Sequence, residues 1–172
     1  MDTKKVKKLA MAAMLTAVAV VGSMINFPVF GSKCSPVQHM VNILCAFFLG
    51  PVYGLASAFT ASLIRNMLSL GSILAFPGSM FGALLCGFTY KKTKNIFLTC
   101  RAEVFGTAVI GGLAAYPLSL IFMGKAVGDI AFYAYIIPFL ISTAVGSALS
   151  WAVLTALNYT GVLSRLQREL EK

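Results

Sequence analysis

Six apolar stretches follow one another along the chain, separated by short polar or Gly/Pro breaks. The first covers residues 8–26 and is long enough to cross the ~30 Å hydrocarbon layer of a bilayer as a helix. Pro28, Gly31 and Lys33 mark residues 27–35 as a loop. Ser35-Pro36 then reads as a helix start, a capping serine followed by proline at the first helical position. The second helix, 36–49, reaches only about 21 Å. Either the loop before it dips into the protein or the bilayer thins there. Gly50-Pro51 opens a third helix over 51–68, and a fourth follows over 72–90. Residues 91–101 read as a basic loop, 102–123 as the fifth helix, 131–159 as the sixth, and the rest as a polar tail. The pattern predicts an all-α integral membrane protein: one domain over residues 1–172, six transmembrane helices, the second one short.

Composition supports lipid as the solvent. Hydrophobic residues make up 59% of the chain, charged residues 11%, and the mean hydropathy is +0.87, whereas a soluble domain is about a quarter charged. The net charge of +9 raises the question of nucleic acid, but the positions answer it. Lys4, Lys5, Lys7 and Lys8 precede the first stretch, Lys91, Lys92, Lys94 and Arg101 share one short segment, and Arg165, Arg168 and Lys172 follow the last. These are flanking charges on one side of a six-span topology, which predicts cytoplasmic N and C termini in a multi-pass plasma-membrane protein. Nucleic-acid binding is not expected. The N-terminal stretch lacks a convincing cleavage site and reads as a retained helix rather than a signal peptide.

The chemistry on offer is that of binding, not catalysis. Cys34, Cys45, Cys86 and Cys100 fit no zinc spacing and no disulfide framework, and His39 is the sole histidine, so no metal site is expected. P-loop, H-E-x-x-H and G-x-S-x-G patterns are absent, so the chain reads as neither an ATPase nor another enzyme.

Gln38, His39 and Asn42 are spaced to share one helix face and offer both donors and acceptors to a small heterocyclic solute. Arg65 and Asn66 lie near the end of an apolar stretch, where a charge is expensive unless it meets a cavity or a partner. Arg65 has three options: an anionic solute, the last carbonyls of its helix, or snorkelling. Asn66 reads as a pocket residue, with Ser62 and Ser69 beside it. Tyr116, Tyr135 and Tyr133 can stack on a ring or join an interfacial belt, and Ser79 and Ser142 are further candidates. Pro28, Pro36, Pro77, Pro117 and Pro138 all map to the outer half, where the helical ones should free the carbonyls of Ile73, Leu113 and Ala134 and distort the backbone around a ligand. Glu103 opens the predicted fifth helix on the inner side, favourable with the helix dipole but away from an outer pocket.

Small residues form a second pattern. Ala10, Ala13 and Ala17 line one stripe of the first helix, and Ala12 with Thr16 a neighbouring one; either permits close approach of another helix. Gly78 and Gly82 form a GxxxG pair in the fourth.

With six spans, this length and a small-residue first helix, the chain resembles the substrate-binding S components of energy-coupling factor transporters. The stretches G-S-K-C-S-P-V-Q-H-M-V-N (31–42), S-L-I-R-N (62–66), S-I-L-A-F-P-G-S-M-F-G-A (72–83) and E-V-F-G-T (103–107) are similar to the ThiW group. The resemblance implies a capture subunit for a thiamine precursor, the hydroxyethyl-methylthiazole moiety. It implies partners too: a transmembrane coupling protein and two cytoplasmic ATPases that use ATP, with no cofactor in this chain. Ala13 and Ala17 match the Ala-x-x-x-Ala pattern by which such proteins dock, and residues 27–35 correspond to a loop that lids the pocket. From the residues alone, another small vitamin or precursor, a self-sufficient small transporter or channel, and an assembly protein without a solute remain alternatives.

Overall fold

The computed structural model describes residues 3–29 and 32–171, so Gly31 of the predicted loop and Lys172 of the basic tail lie outside the described residues. Helix α1 (Thr3–Gly22) leads into a two-stranded antiparallel hairpin, β1 (Phe27–Val29) and β2 (Ser32–Cys34), which pairs Phe27 with Cys34 and Val29 with Ser32. Helices α2 (Pro36–Phe48), α3 (Pro51–Met67) and α4 (Ala75–Thr93) follow. Helix α5 (Ile96–Phe122) contains a wide π-turn over Phe105–Gly111. Helix α6 (Ile136–Tyr159) is followed by the short α7 (Val162–Glu171).

The short second helix has a simple explanation. Helix α2 is the central strut, packed against α1, α3, α4, α5 and α6. Nine of its 13 residues are buried. Enclosed by protein, it has no hydrocarbon thickness to match, and the hairpin folds over its N-terminus. Close approach to α6 depends on Gly146, where an added Cβ would stand 2.7 Å from the Cβ of His39.

The basic loop predicted over 91–101 is a correction. Lysines there raised the polarity, but Lys91 and Lys92 end α4 and Arg101 lies inside α5 with its guanidinium over the Phe97 ring. Only Lys94 and Asn95 separate the two helices. Lys94 takes a left-handed conformation (φ +52°) and bonds back to Tyr90. Asn95 caps α5, its side chain accepting from the backbone N–H groups of Phe97 and Leu98. The fifth helix thus starts at Ile96 rather than at residue 102 as its apolar pattern suggested.

The carbonyls expected to be freed by proline are a second correction. Pro36 and Pro51 take the first helical position, and Pro77 and Pro138 fall in first turns, where no intrahelical partner is required. Only Pro117 is interior. The carbonyl of Ile73 accepts from Phe76 N–H instead. The tail is not merely polar: α7 is amphipathic, with Leu170 buried on its inner face.

Helices α5 and α6, with mean hydropathies of 1.7 and 1.8, are long and apolar enough to cross a bilayer; α2 is a shorter apolar helix. Lys7 of α1 reaches both the backbone carbonyl and the carboxylate of Glu169 in α7. Lys8, Lys91 and Lys94 line one hollow with Gln167 and Leu170. The start of α1, the end of α4 and α7 therefore meet at one end of the molecule, which collects much of its positive charge.

Candidate functional site

Glu103 is fully buried, about 12 Å along α5 from its capping residue. The expected helix-dipole carboxylate is instead the hub of a polar network. Its Oε1 accepts from Asn42 Nδ2 at 3.0 Å and Thr107 Oγ1 at 3.1 Å, and lies 3.0 Å from His39 Nδ1. With Glu103 ionised, Nδ1 is the donor. From there the network runs outward through two amides. Gln38 Nε2 donates to Asn42 Oδ1 at 3.3 Å, and Arg65 Nη1 donates to Gln38 Oε1 at 3.3 Å. Every donor in this chain points toward Glu103 and every acceptor toward Arg65. Such alignment lets each hydrogen bond polarise the next in a low-dielectric interior. Arg65 Nε and Glu103 Oε2 are left without partners.

Three local features build the network. Spacing along α2 puts Gln38, His39 and Asn42 within reach of both α3 and α5. The π-turn begins two residues after Glu103, and Thr107 within it turns back to the carboxylate; such bulges recur at functional sites. Gly82 of α4 clears the space: a Cβ there would lie 2.6 Å from Glu103 Oε1 and would also clash with Thr107 Oγ1. The GxxxG pair of Gly78 and Gly82 thus serves packing of α4 against α5 within the chain. Gly82→Ala should lower stability by about 1–3 kcal/mol, read as a lower midpoint of thermal unfolding in detergent.

Above the network lies a cavity of about 40 Å³, lined by Gln38, His39, Arg65, Ser79, Phe139 and Ser142 among others. A second of similar size shares Lys33, Arg65, Ala75 and Phe139 with it. The hairpin closes this region. Cys34 Sγ donates to the Pro138 carbonyl at 3.2 Å, Ser35 N–H donates to Ser142 Oγ at 3.0 Å, and Lys33 Nζ reaches the Ser69 carbonyl at 3.4 Å.

The structure brings together Gln38, His39, Asn42, Arg65, Ser79 and Ser142 of the sequence candidates, and it separates Asn66, Tyr116 and Tyr135 from them. Asn42 Nδ2 also holds the Ser79 carbonyl at 3.0 Å, and the Ser79 and Ser62 hydroxyls lie 2.9 Å apart. Arg65 neither snorkels nor caps its helix, since it is 3% exposed and its hydrogen bond crosses to α2. Asn66 does not line the cavity. Its amide donates to the carbonyls of Ser62 and Ser72 and secures the α3–α4 turn. Tyr135 is buried in an apolar cluster with Leu74 and Ala115, and half-buried Tyr116 lines neither cavity. Glu103 and Thr107 were missed as site residues. The capping Asn95 before Ile-Phe-Leu was the available signal, since it starts the helix at Ile96 and so places Glu103 further along it.

A separate hollow of about 500 Å³ lies on the surface between α1 and α3 and is almost wholly apolar. Ala13 and Ala17 line it and are exposed, whereas Ala12 and Thr16 are buried at its floor, Thr16 bonding to Ser57. Ala10 is exposed on the same helix but is not among the lining residues.

An aligned polar network thus lies beside a small cavity inside a helical bundle, two of whose helices are long and apolar enough to cross a bilayer. The chain belongs to the family of thiamine-precursor transporter proteins (ThiW), which it matches over residues 9–160. Among curated proteins none matches it.

Proposed function

We propose that the chain is the capture subunit of an energy-coupling factor importer and binds the hydroxyethyl-methylthiazole moiety of thiamine in the cavity above Gln38, His39 and Asn42. The observation that carries this reading is the cavity itself. Residues from five helices and the hairpin converge on it in a chain of a thiamine-precursor transporter family. With Nδ1 of His39 engaged by Glu103, its Nε2 is left for a ring nitrogen or hydroxyl, and Phe139 offers a ring face. About 40 Å³ suits a water rather than a heterocycle, so entry requires the hairpin to lift from Pro138 and Ser142.

In this reading the whole chain is one six-helix transmembrane domain with both termini cytoplasmic. Clustering of Lys8, Lys91 and Lys94 at one end supports that orientation. The α1–α3 groove, with Ala13 and Ala17 on its surface, receives a transmembrane coupling protein, and Ala10 extends the same face. Two cytoplasmic ATPases supply the energy, and this chain holds no cofactor of its own.

Mass spectrometry of ligand released from purified protein, followed by titration with hydroxyethyl-methylthiazole, tests the assignment. Saturable binding should slow alkylation of Cys34, the last residue of β2, which is 2% exposed against Pro138. Failure of the thiazole to bind, or uptake in liposomes without any ATPase, overturns it.

A further inference from the structure

Arg65 is the one buried arginine or lysine among the described residues. A guanidinium is a fork of N–H donors with no acceptor, yet here it makes a single hydrogen bond, to a neutral amide. Its Nε is buried and unpartnered. It forms no ion pair with a carboxylate among the described residues. Glu103 does not fill that role. It is reached only through Gln38 and Asn42, and its engaged oxygen already serves His39, Asn42 and Thr107.

Both cavities beside Arg65 are lined by Lys33 of the hairpin as well, and neither is lined by an acidic residue. Lys33 is exposed, and its ammonium is held only by a carbonyl at 3.4 Å. Two cations thus border one small space with donors to spare. Burying a cation is expensive unless an anion meets it, and the planar fork of arginine matches carboxylate or phosphate oxygens two at a time.

We propose that the solute carries an anionic group, a carboxylate or a phosphate monoester, seated on the free edge of Arg65 and covered by Lys33 as the hairpin closes. The heterocycle lies toward Phe139 and His39. This inference rests on the thiazole reading above and deepens it: the preferred ligand is an acidic derivative of the heterocycle rather than its neutral alcohol. Snorkelling and helix capping leave no such preference.

Affinities for three probes decide the matter: hydroxyethyl-methylthiazole, its phosphate monoester, and the analogue with a carboxymethyl group in place of the hydroxyethyl. At least one acidic probe should bind wild-type protein about tenfold more tightly than the alcohol, as charge-assisted hydrogen bonds require. Arg65→Gln should bring that ratio close to one, Arg65→Lys should keep part of it, and Lys33→Ala, an exposed change, should reduce it. If the alcohol binds wild-type protein as tightly as both acids, the anionic inference is overturned and the thiazole reading stands. If no thiazole binds but inorganic phosphate raises the unfolding midpoint of wild type and not of Arg65→Gln, the anion site stands and the thiazole reading falls. Absence of both effects overturns both.

Discussion

Replacing Glu103 by alanine should abolish solute binding and lower the unfolding free energy by about 3–5 kcal/mol. The carboxylate is fully buried and receives hydrogen bonds or contacts from three helices: His39 and Asn42 of α2, Thr107 of α5 itself, and the space cleared by Gly82 of α4. Alanine would leave those donors in an interior with no replacement acceptor, each unfilled donor costing about 1–3 kcal/mol. Effects within such a network do not add, so the estimate is for the cluster as a unit. Glu103→Gln keeps one acceptor oxygen but introduces donors among donors, and should fall between alanine and wild type. Thermal unfolding in detergent and ligand titration of the two variants check both halves of this expectation. Wild-type affinity in a folded Glu103→Ala protein would remove the network from the binding site.

The second large effect belongs to the groove between α1 and α3. Ala13→Trp and Ala17→Trp should each abolish ATP-dependent uptake in the assembled importer while solute binding to the isolated subunit stays near wild type. Both residues are exposed along a groove of about 500 Å³ between α1 and α3, whose floor is made by Ala12, Thr16 and Ser57. An indole would fill the close approach that small residues allow a partner helix. The neighbouring stripe provides the contrast. Ala12 and Thr16 are buried, and Thr16 bonds to Ser57 and to the Ala12 carbonyl. A tryptophan at residue 12 should therefore lower stability and impair binding and uptake together, through overpacking. Full uptake by both exposed-stripe variants would place the docking surface elsewhere.

The mostly helical layout was legible because apolar length and turn residues are local properties of the chain. The helix starts at Pro36 and Pro51 followed from the fixed φ of proline. The grouping of Gln38, His39 and Asn42 followed from helical spacing. Where polarity and structure parted, the pattern misled: the lysines before Arg101 looked like a loop, yet a left-handed Lys94 and a capping Asn95 join two helices with almost no loop at all.

Asn66 and Tyr135 show the limit most directly. Each carries polar atoms suited to a ligand, and sequence alone offered no reason to set them apart from Asn42. Asn66 spends its amide on two carbonyls of the α3–α4 turn, and Tyr135 settles among Leu74, Ala115 and Phe139.

By itself, then, the sequence determined a lipid-compatible helical protein, a short apolar second helix with three polar residues near its start and a small-residue first helix, because hydropathy, proline geometry and side-chain size act over a few neighbouring residues. The tertiary structure decided which polar groups share the site. Glu103 joins Asn42 across 61 positions and Arg65 joins Gln38 across 27, and contacts of that range depend on how α2 is enclosed, which no local spacing encodes. It also decided which face of α1 is left exposed, because that depends on where α3 packs.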